Sequence, residues 1–198
     1  MTKNNNIIFR AAPPQYNKGL VYARLYDETA EGFFKSMLGK NAFTTIAEAY
    51  VKPNNEYSFE NITFAELQNE IVGMVSGYTA NEKQRFHNKI HRNRKTLSFS
   101  IVGSLLSRFL GPKGTGDYYI QAIIVDKKMR GKGIGLNLIK HIEERAIEKE
   151  SKTLSLDVSS KNDKAIALYK RHGMTVESLW PNFPLIPPIF TRMTKKLK

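Results

Sequence analysis

Apolar positions along this chain change their period several times, and each change marks an element. "ITFAEL" (62–67) and "EIVGMVSGYT" (70–79) are strand-like runs joined only by "QN", the pattern of two antiparallel strands about a tight turn. "YYIQAIIV" (118–125) is almost continuously apolar, as a strand covered on both faces must be. Directly afterwards the period lengthens. Ile134, Leu138, Ile142 and Ala146 form one stripe through a helix over 134–149, with charges opposite. "TLSLDV" returns to strand, so 119–125, 134–149 and 153–158 read as a strand, a crossover helix and a parallel strand. "NDKAIALYKRHG" reads as a further helix, with Asn162 or Asp163 at its N-cap and Gly173 closing its C-terminus. "TVESLW" and "FTRMTKKL" are strands flanking a proline-rich loop.

The first third is less regular. "IIFRA" is a short strand; the stretch from Pro13 to Gly39 suits a helix or a broken helix pair, and "AFTTIAEAYV" a short helix stopped at Lys52-Pro53. Residues 80–117 then change character. The basic "NEKQRFHNKIHRNRK" precedes a helical apolar stripe of Ile101, Val102, Leu105, Leu106 and Phe109, which Gly111-Pro112 ends before the loop "KGTGD". We read this as a helical elaboration at about 80–117 within a single domain spanning 1–198.

Composition narrows the chemistry. At 198 residues, 41% hydrophobic and 25% charged, the chain can bury a substantial core. Without cysteine it has no disulfide, thiol nucleophile or cysteine-held metal. "MTKNNNIIFR" lacks the apolar core of a secretory signal, and no run of about 18 apolar residues occurs. These features predict a cytoplasmic protein with no membrane span. A net charge of +13 favours an acidic partner: nucleic acid, an anionic membrane or a polyphosphate ligand.

The candidate chemistry centres on "VDKKMRGKGIG" (125–135), a turn with three glycines between strand and helix. The dinucleotide fingerprint G-x-G-x-x-G fails, because Leu136 stands where the third glycine belongs. The P-loop pattern fails because Gly133, not Ser or Thr, follows Lys132. What remains is Arg130-Gly131-Lys132-Gly133-Ile134-Gly135 at a helix start. Unpartnered N–H groups and the helix dipole attract anions there, glycines admit a phosphate to the backbone, and Arg130 and Lys132 add charge. A tight turn with solvated basic side chains is the competing reading of the hexamer alone.

The neighbouring residues change that balance. The turn in "YIQAIIVDKKMRGKGIG" and the later "LDVSSKNDKAIALYKRHGM" occur in the order and at the separation of two motifs of the GNAT superfamily, and residues 118–174 resemble these acetyl-CoA-dependent N-acetyltransferases. The resemblance implies an α+β fold: a central mixed, mostly antiparallel sheet with one splayed parallel strand pair and helices on both faces. It further implies acetyl-CoA as co-substrate, an amine acceptor and no metal. Backbone groups of Ile123 and Val125 would pair with the pantetheine arm, N–H groups from Arg130 to Gly135 would hold the pyrophosphate, and Asn162 would contact the cofactor. Tyr169 matches the family tyrosine that protonates the leaving thiolate. A phenol, with a pKa of about 10, can donate to a developing thiolate; a core aromatic beside Ile166 and Leu168 is the other reading of Tyr169.

The proton acceptor is less evident. A lysine amine, with a pKa of about 10.4, needs a base, whereas an α-amine at about 7.7–8.0 is already partly neutral. In this family a base, when present, often points from the central strand towards the acceptor. Strand alternation places Tyr119 and Gln121 on the face leading to Val125. Neither is a strong base, which leaves room for a water chain; Asp157 and Glu66 are strand carboxylates that could serve as the base, although surface or structural roles are the favoured reading of each. Trp180 and Phe183, in "WPNFPLIPPIF", stand where a stiff apolar loop would wall the acceptor site; a rigid packed turn or a homodimer contact reads equally well. His87 and His91 have zinc-ligand spacing but lack the adjacent Glu of H-E-x-x-H and a third ligand, so they read as a solvated helix face. The basic run from Lys83 to Lys95 also reads as solvated, with phosphate or anionic-membrane contact as its alternatives. Two rival functions use the same fold without catalysis: a nucleic-acid-binding module, and a CoA-binding regulator indifferent to the Tyr169 hydroxyl.

Overall fold

The computed structural model describes residues 6–29, 31–32, 35–36, 39–90, 111–180 and 187–198. Within them lie strands β1 (Ile8–Ala11), β2 (Ile62–Leu67), β3 (Glu70–Thr79), β4 (Asp117–Val125), β5 (Thr153–Ser159), β6 (Thr175–Trp180) and β7 (Phe190–Lys196). Five α-helices accompany them: α1 (Tyr16–Thr29), α2 (Ala42–Tyr50), α3 (Ala80–Ile90), α4 (Ile134–Glu148) and α5 (Asp163–Arg171). The strands form one seven-stranded sheet in the order β1-β2-β3-β4-β5-β7-β6. Every neighbouring pair is antiparallel except β4 and β5.

Each face of the sheet carries its own core. The α4 stripe is buried as its spacing requires, and with Leu154, Leu156, Val158, Tyr169 and Met193 it covers one face. Tyr22 and Tyr26 of α1 and Ile46 and Tyr50 of α2 cover the other, against Phe64, Met74, Ala122 and Ile124. Helix α3 starts with a capping box: Glu82 accepts the Thr79 N–H at 2.8 Å, and the Thr79 hydroxyl accepts the Glu82 N–H at 3.2 Å. The apolar stripe 101–109 and His91 lie outside the described residues, as does the His87 side chain.

Two irregularities shape the centre of the sheet. The β4–β5 ladder runs only from Asp117↔Thr153 to Ile120↔Leu156, although β4 continues to Val125 and β5 to Ser159. Beyond Ile120 the two strands part, while β4 stays paired with β3 as far as Val125↔Gly73. The second is a β-bulge. Ser76 pairs with Ala122 but Gly77 with Ile120, so Gln121 is an extra residue in β4. Gly77 permits it, since a Cβ there would stand 2.6 Å from the Tyr119 carbonyl oxygen and 2.7 Å from the Tyr118 ring.

The bulge corrects one expectation. Tyr118, Ile120, Ile123 and Val125 pack on the α4 face, whereas Ala122 and Ile124 pack on the α1 face. Tyr119 lies against Tyr78 and Phe86, and Gln121 reaches Ser76 at 3.4 Å. Tyr119 and Gln121 therefore share the α1 face, opposite Val125, because the inserted residue reverses the alternation between them and the strand's end.

Candidate active site

The gap between β4 and β5 is lined by backbone. Asp126 N–H donates to Val72 O at 2.9 Å, continuing the ladder with β3. Strand alternation then turns the N–H and C=O of Ile123 and Val125 away from β3, towards the side that β5 has left. The Val125 carbonyl accepts from Arg130 Nε at 3.1 Å, which folds this side chain back across the end of β4.

The glycine turn follows at once. Asp126 Oδ1 accepts the Lys128 N–H at 2.7 Å and starts a short 3₁₀ turn, Lys127–Met129. Gly131 and Gly133 have φ of 79° and 77°, left-handed backbone that other residues adopt only at a cost, and Gly133 is the N-cap of α4. A Cβ on either would meet nothing within 4 Å, so conformation rather than crowding demands glycine, and the space before the turn is open. Gly135 differs: its φ is not positive, and a Cβ there would touch Leu168 at 3.6 Å and Val125 at 3.8 Å, ordinary contacts. The first helical bond runs from Asn137 N–H to Gly133 O (3.1 Å), which leaves the N–H groups of Ile134, Gly135 and Leu136 ahead of it. Ile134 is buried and anchors the helix, while Arg130 and Lys132 are exposed.

Helix α5 brings the remaining predicted residues alongside. Asn162 is its N-cap, its Oδ1 accepting the Ala165 N–H at 3.1 Å; that leaves its side-chain NH₂ as the group for any ligand contact. Tyr169 is 6% exposed and packs into the α4 core, where burial pushes its phenol above the usual range and keeps it protonated. The turn, the ends of β4 and β5 and α5 thus gather on one side of the gap.

The opposite, α1 face is organised by a side chain that the sequence pattern does not single out, Arg192 of β7. It is 3% exposed and reaches across the sheet. Its Nη2 donates to Asp117 Oδ2 and Ser155 Oγ, both at 3.0 Å, and its Nη1 to Asp157 Oδ2 at 3.0 Å and Gly111 O at 2.8 Å. Its Nε faces Glu177 at 3.2 Å, and its guanidinium lies 5.6 Å from the Tyr119 ring centre. Tyr119 continues into a group of tyrosines, with Tyr78 at 6.1 Å between ring centres, while Tyr22 and Tyr57 each flank Tyr26 at 5.5 Å. Burial raises the pKa of Glu56 beside them, despite the Tyr57 hydrogen bond and the charge of Lys83. Glu66 lies apart, on β2, bound to Arg10 at 3.2 Å and Lys18 at 3.7 Å, a structural arrangement. Trp180 ends β6 stacked on Phe190, and Phe183 lies outside the described residues. Among the described residues no group of three His, Asp or Glu side chains could hold a metal, and no helix is long and apolar enough to cross a membrane.

Residues 22–174 match the profile of the acetyltransferase (GNAT) family. Over 87 residues the chain is 36% identical to a thialysine N-epsilon-acetyltransferase of Sus scrofa, a match covering 42% of this chain and 51% of that protein. The chain thus spans about half the length of this curated relative. An N-acetyltransferase from Staphylococcus aureus Mu50 superposes with a TM-score of 0.66 at 18% identity, over 95% of this chain and all of its own. Another acetyltransferase crystal structure gives 0.67 at 21% identity over 96% of this chain and 100% of that one. Both similarities concern the fold.

Proposed function

Because the chain belongs to the GNAT acetyltransferase family, we propose that it moves an acetyl group from acetyl-CoA to a primary amine by direct attack. The observation that carries this reading is the parting of β4 and β5 after Ile120, directly beside the left-handed glycine turn that opens α4. Ile123 and Val125 offer backbone groups to the pantetheine amides, and the N–H groups from Arg130 to Gly135 form the pyrophosphate cradle, with Arg130 and Lys132 beside it. Asn162 contributes its side-chain NH₂. The cofactor supplies the thioester carbon that the amine attacks. Tyr169, held neutral by burial, is the proton donor to the leaving sulfur. Positioning and polarisation supply the rest of the rate.

The acceptor lies on the α1 face, where Tyr119 and Gln121 face the tyrosine group, with Trp180 at the end of β6 as a further contact. Glu56 and Asp157 give that face carboxylates suited to a cationic amine. The thialysine relative points the same way, to an aminoalkyl amino acid as the first acceptor to test. Calorimetric titration of acetyl-CoA tests the cofactor half. Micromolar binding by the wild type and none by a folded Gly133→Glu variant is the expected result; no binding by the folded wild type overturns the reading and turns attention to nucleic acid.

A further inference from the structure

Asp157 is a buried carboxylate that Arg192 holds in place and that lies outside the cofactor site. It is the first β5 residue beyond the last β4–β5 pair, Ile120↔Leu156, so it stands at the mouth of the gap. Its neighbours Leu156 and Val158 belong to the α4 core, and alternation puts Asp157 on the α1 face with Ser155 and Tyr119. That is the face from which the acceptor approaches in the proposed acetyl transfer, and this inference rests on that reading.

The local charges are unbalanced. Arg192 Nη2 is taken up by Asp117 and Ser155, and the Ser155 hydroxyl also donates to Asp117 at 2.8 Å. Asp157, with its side chain 7% exposed, is a second buried carboxylate on the same guanidinium. Glu177 adds a third, half-exposed one. The three carboxylates share one guanidinium, with Lys83 and Lys113 acting on Asp157 as further charges, so a proton on Asp157 relieves negative charge in this cluster. Burial raises the Asp157 pKa, opposed by Arg192 of β7, the approaching Tyr119 hydroxyl of β4, the Gly111 backbone and Lys113 of the following loop. Lys83 of α3 feels its charge as well.

We propose that Asp157 accepts the proton of the attacking amine, with Arg192 as the positioning residue that fixes its carboxylate at the mouth of the gap. In this step the amine nitrogen bonds to the acetyl carbon and its extra proton passes to Asp157. The carbon–sulfur bond then breaks, and the thiolate takes the Tyr169 proton.

The test is Asp157→Asn, which keeps an oxygen for Arg192 but cannot hold the proton. In a carboxyl-carbon NMR titration of aspartate-labelled protein, the resonance missing from this variant is expected to titrate above the ordinary value of about 3.9. Acetyl-CoA affinity by calorimetry should stay within twofold of wild type. Turnover of thialysine and a panel of primary alkylamines should fall on the order of 100-fold, and the rise of rate with pH that follows Asp157 should vanish. Titration at or below the ordinary value, or unaltered turnover and pH profile in a variant that binds acetyl-CoA, overturns the proposal. Failure of the wild type to bind acetyl-CoA would instead overturn the enclosing reading. If no amine in the panel is turned over, the titration midpoint alone decides.

Discussion

The two sides of the β4–β5 gap are built by opposite means. On the side of the glycine turn the groups presented are backbone N–H and C=O, ringed by exposed Arg130 and Lys132, and the demand falls on two left-handed glycines. On the α1 face the groups are buried side chains, Arg192, Asp117, Asp157 and Tyr119, drawn from three strands and locked by charge. A site made of backbone is sensitive to dihedral angles and tolerant of side-chain loss. A site made of buried ions is sensitive to charge balance and tolerant of little else.

The most forceful way to break this contrast is Arg192→Met. It leaves Asp117 and Asp157 buried without their cation, and should lower unfolding stability by about 3–5 kcal/mol, read by urea titration. Adding Asp157→Asn should recover part of that loss, because one of the two stranded charges is gone. An unchanged urea midpoint in the single variant would show that the ions contribute nothing to the α1 face.

Next in size is a paired glycine substitution on the other side. Gly133→Ala forces a side chain onto φ of 77° and should cost about 1–2 kcal/mol, with a marked loss of acetyl-CoA affinity. Gly135→Ala meets only ordinary contacts and should leave both stability and affinity close to wild type. Equal losses from the two would mean that packing, not dihedral angle, governs the turn. The smallest effect is expected from Arg130→Gln. Its exposed charge should weaken acetyl-CoA binding less than about tenfold, a loss that shrinks as salt is raised.

Local chemistry explains which parts are legible in the chain. The strands 62–67 and 70–79, the α4 stripe and the ends of α5 at Asn162 and Gly173 depend on residues a few positions apart, and the turn "MRGKGIG" carries its own conformation. The α1 face depends on distance. Arg192 reads as one polar residue in "FTRMTKKL", and its partners Asp157 and Asp117 lie 35 and 75 residues away. The bulge has a signal, a glycine within a strand at Gly77, but its position in the partner strand is set by register across the pair, which Gly77 alone does not specify. Simple alternation accordingly puts Tyr119 and Gln121 on the wrong side relative to Val125.

That single extra residue gives β4 two reading frames. Up to Gln121 the odd positions look towards α1; after it the even ones do, and the change of phase lies beside the point where β5 departs. The strand can thus send Ala122 and Ile124 into the α1 core while Ile123 and Val125 pack towards α4, without twisting the Tyr119 ring away from Arg192. Any alignment of this strand with a relative that lacks the bulge must carry a gap at Gln121. Without it, every residue upstream is credited to the opposite face of the sheet.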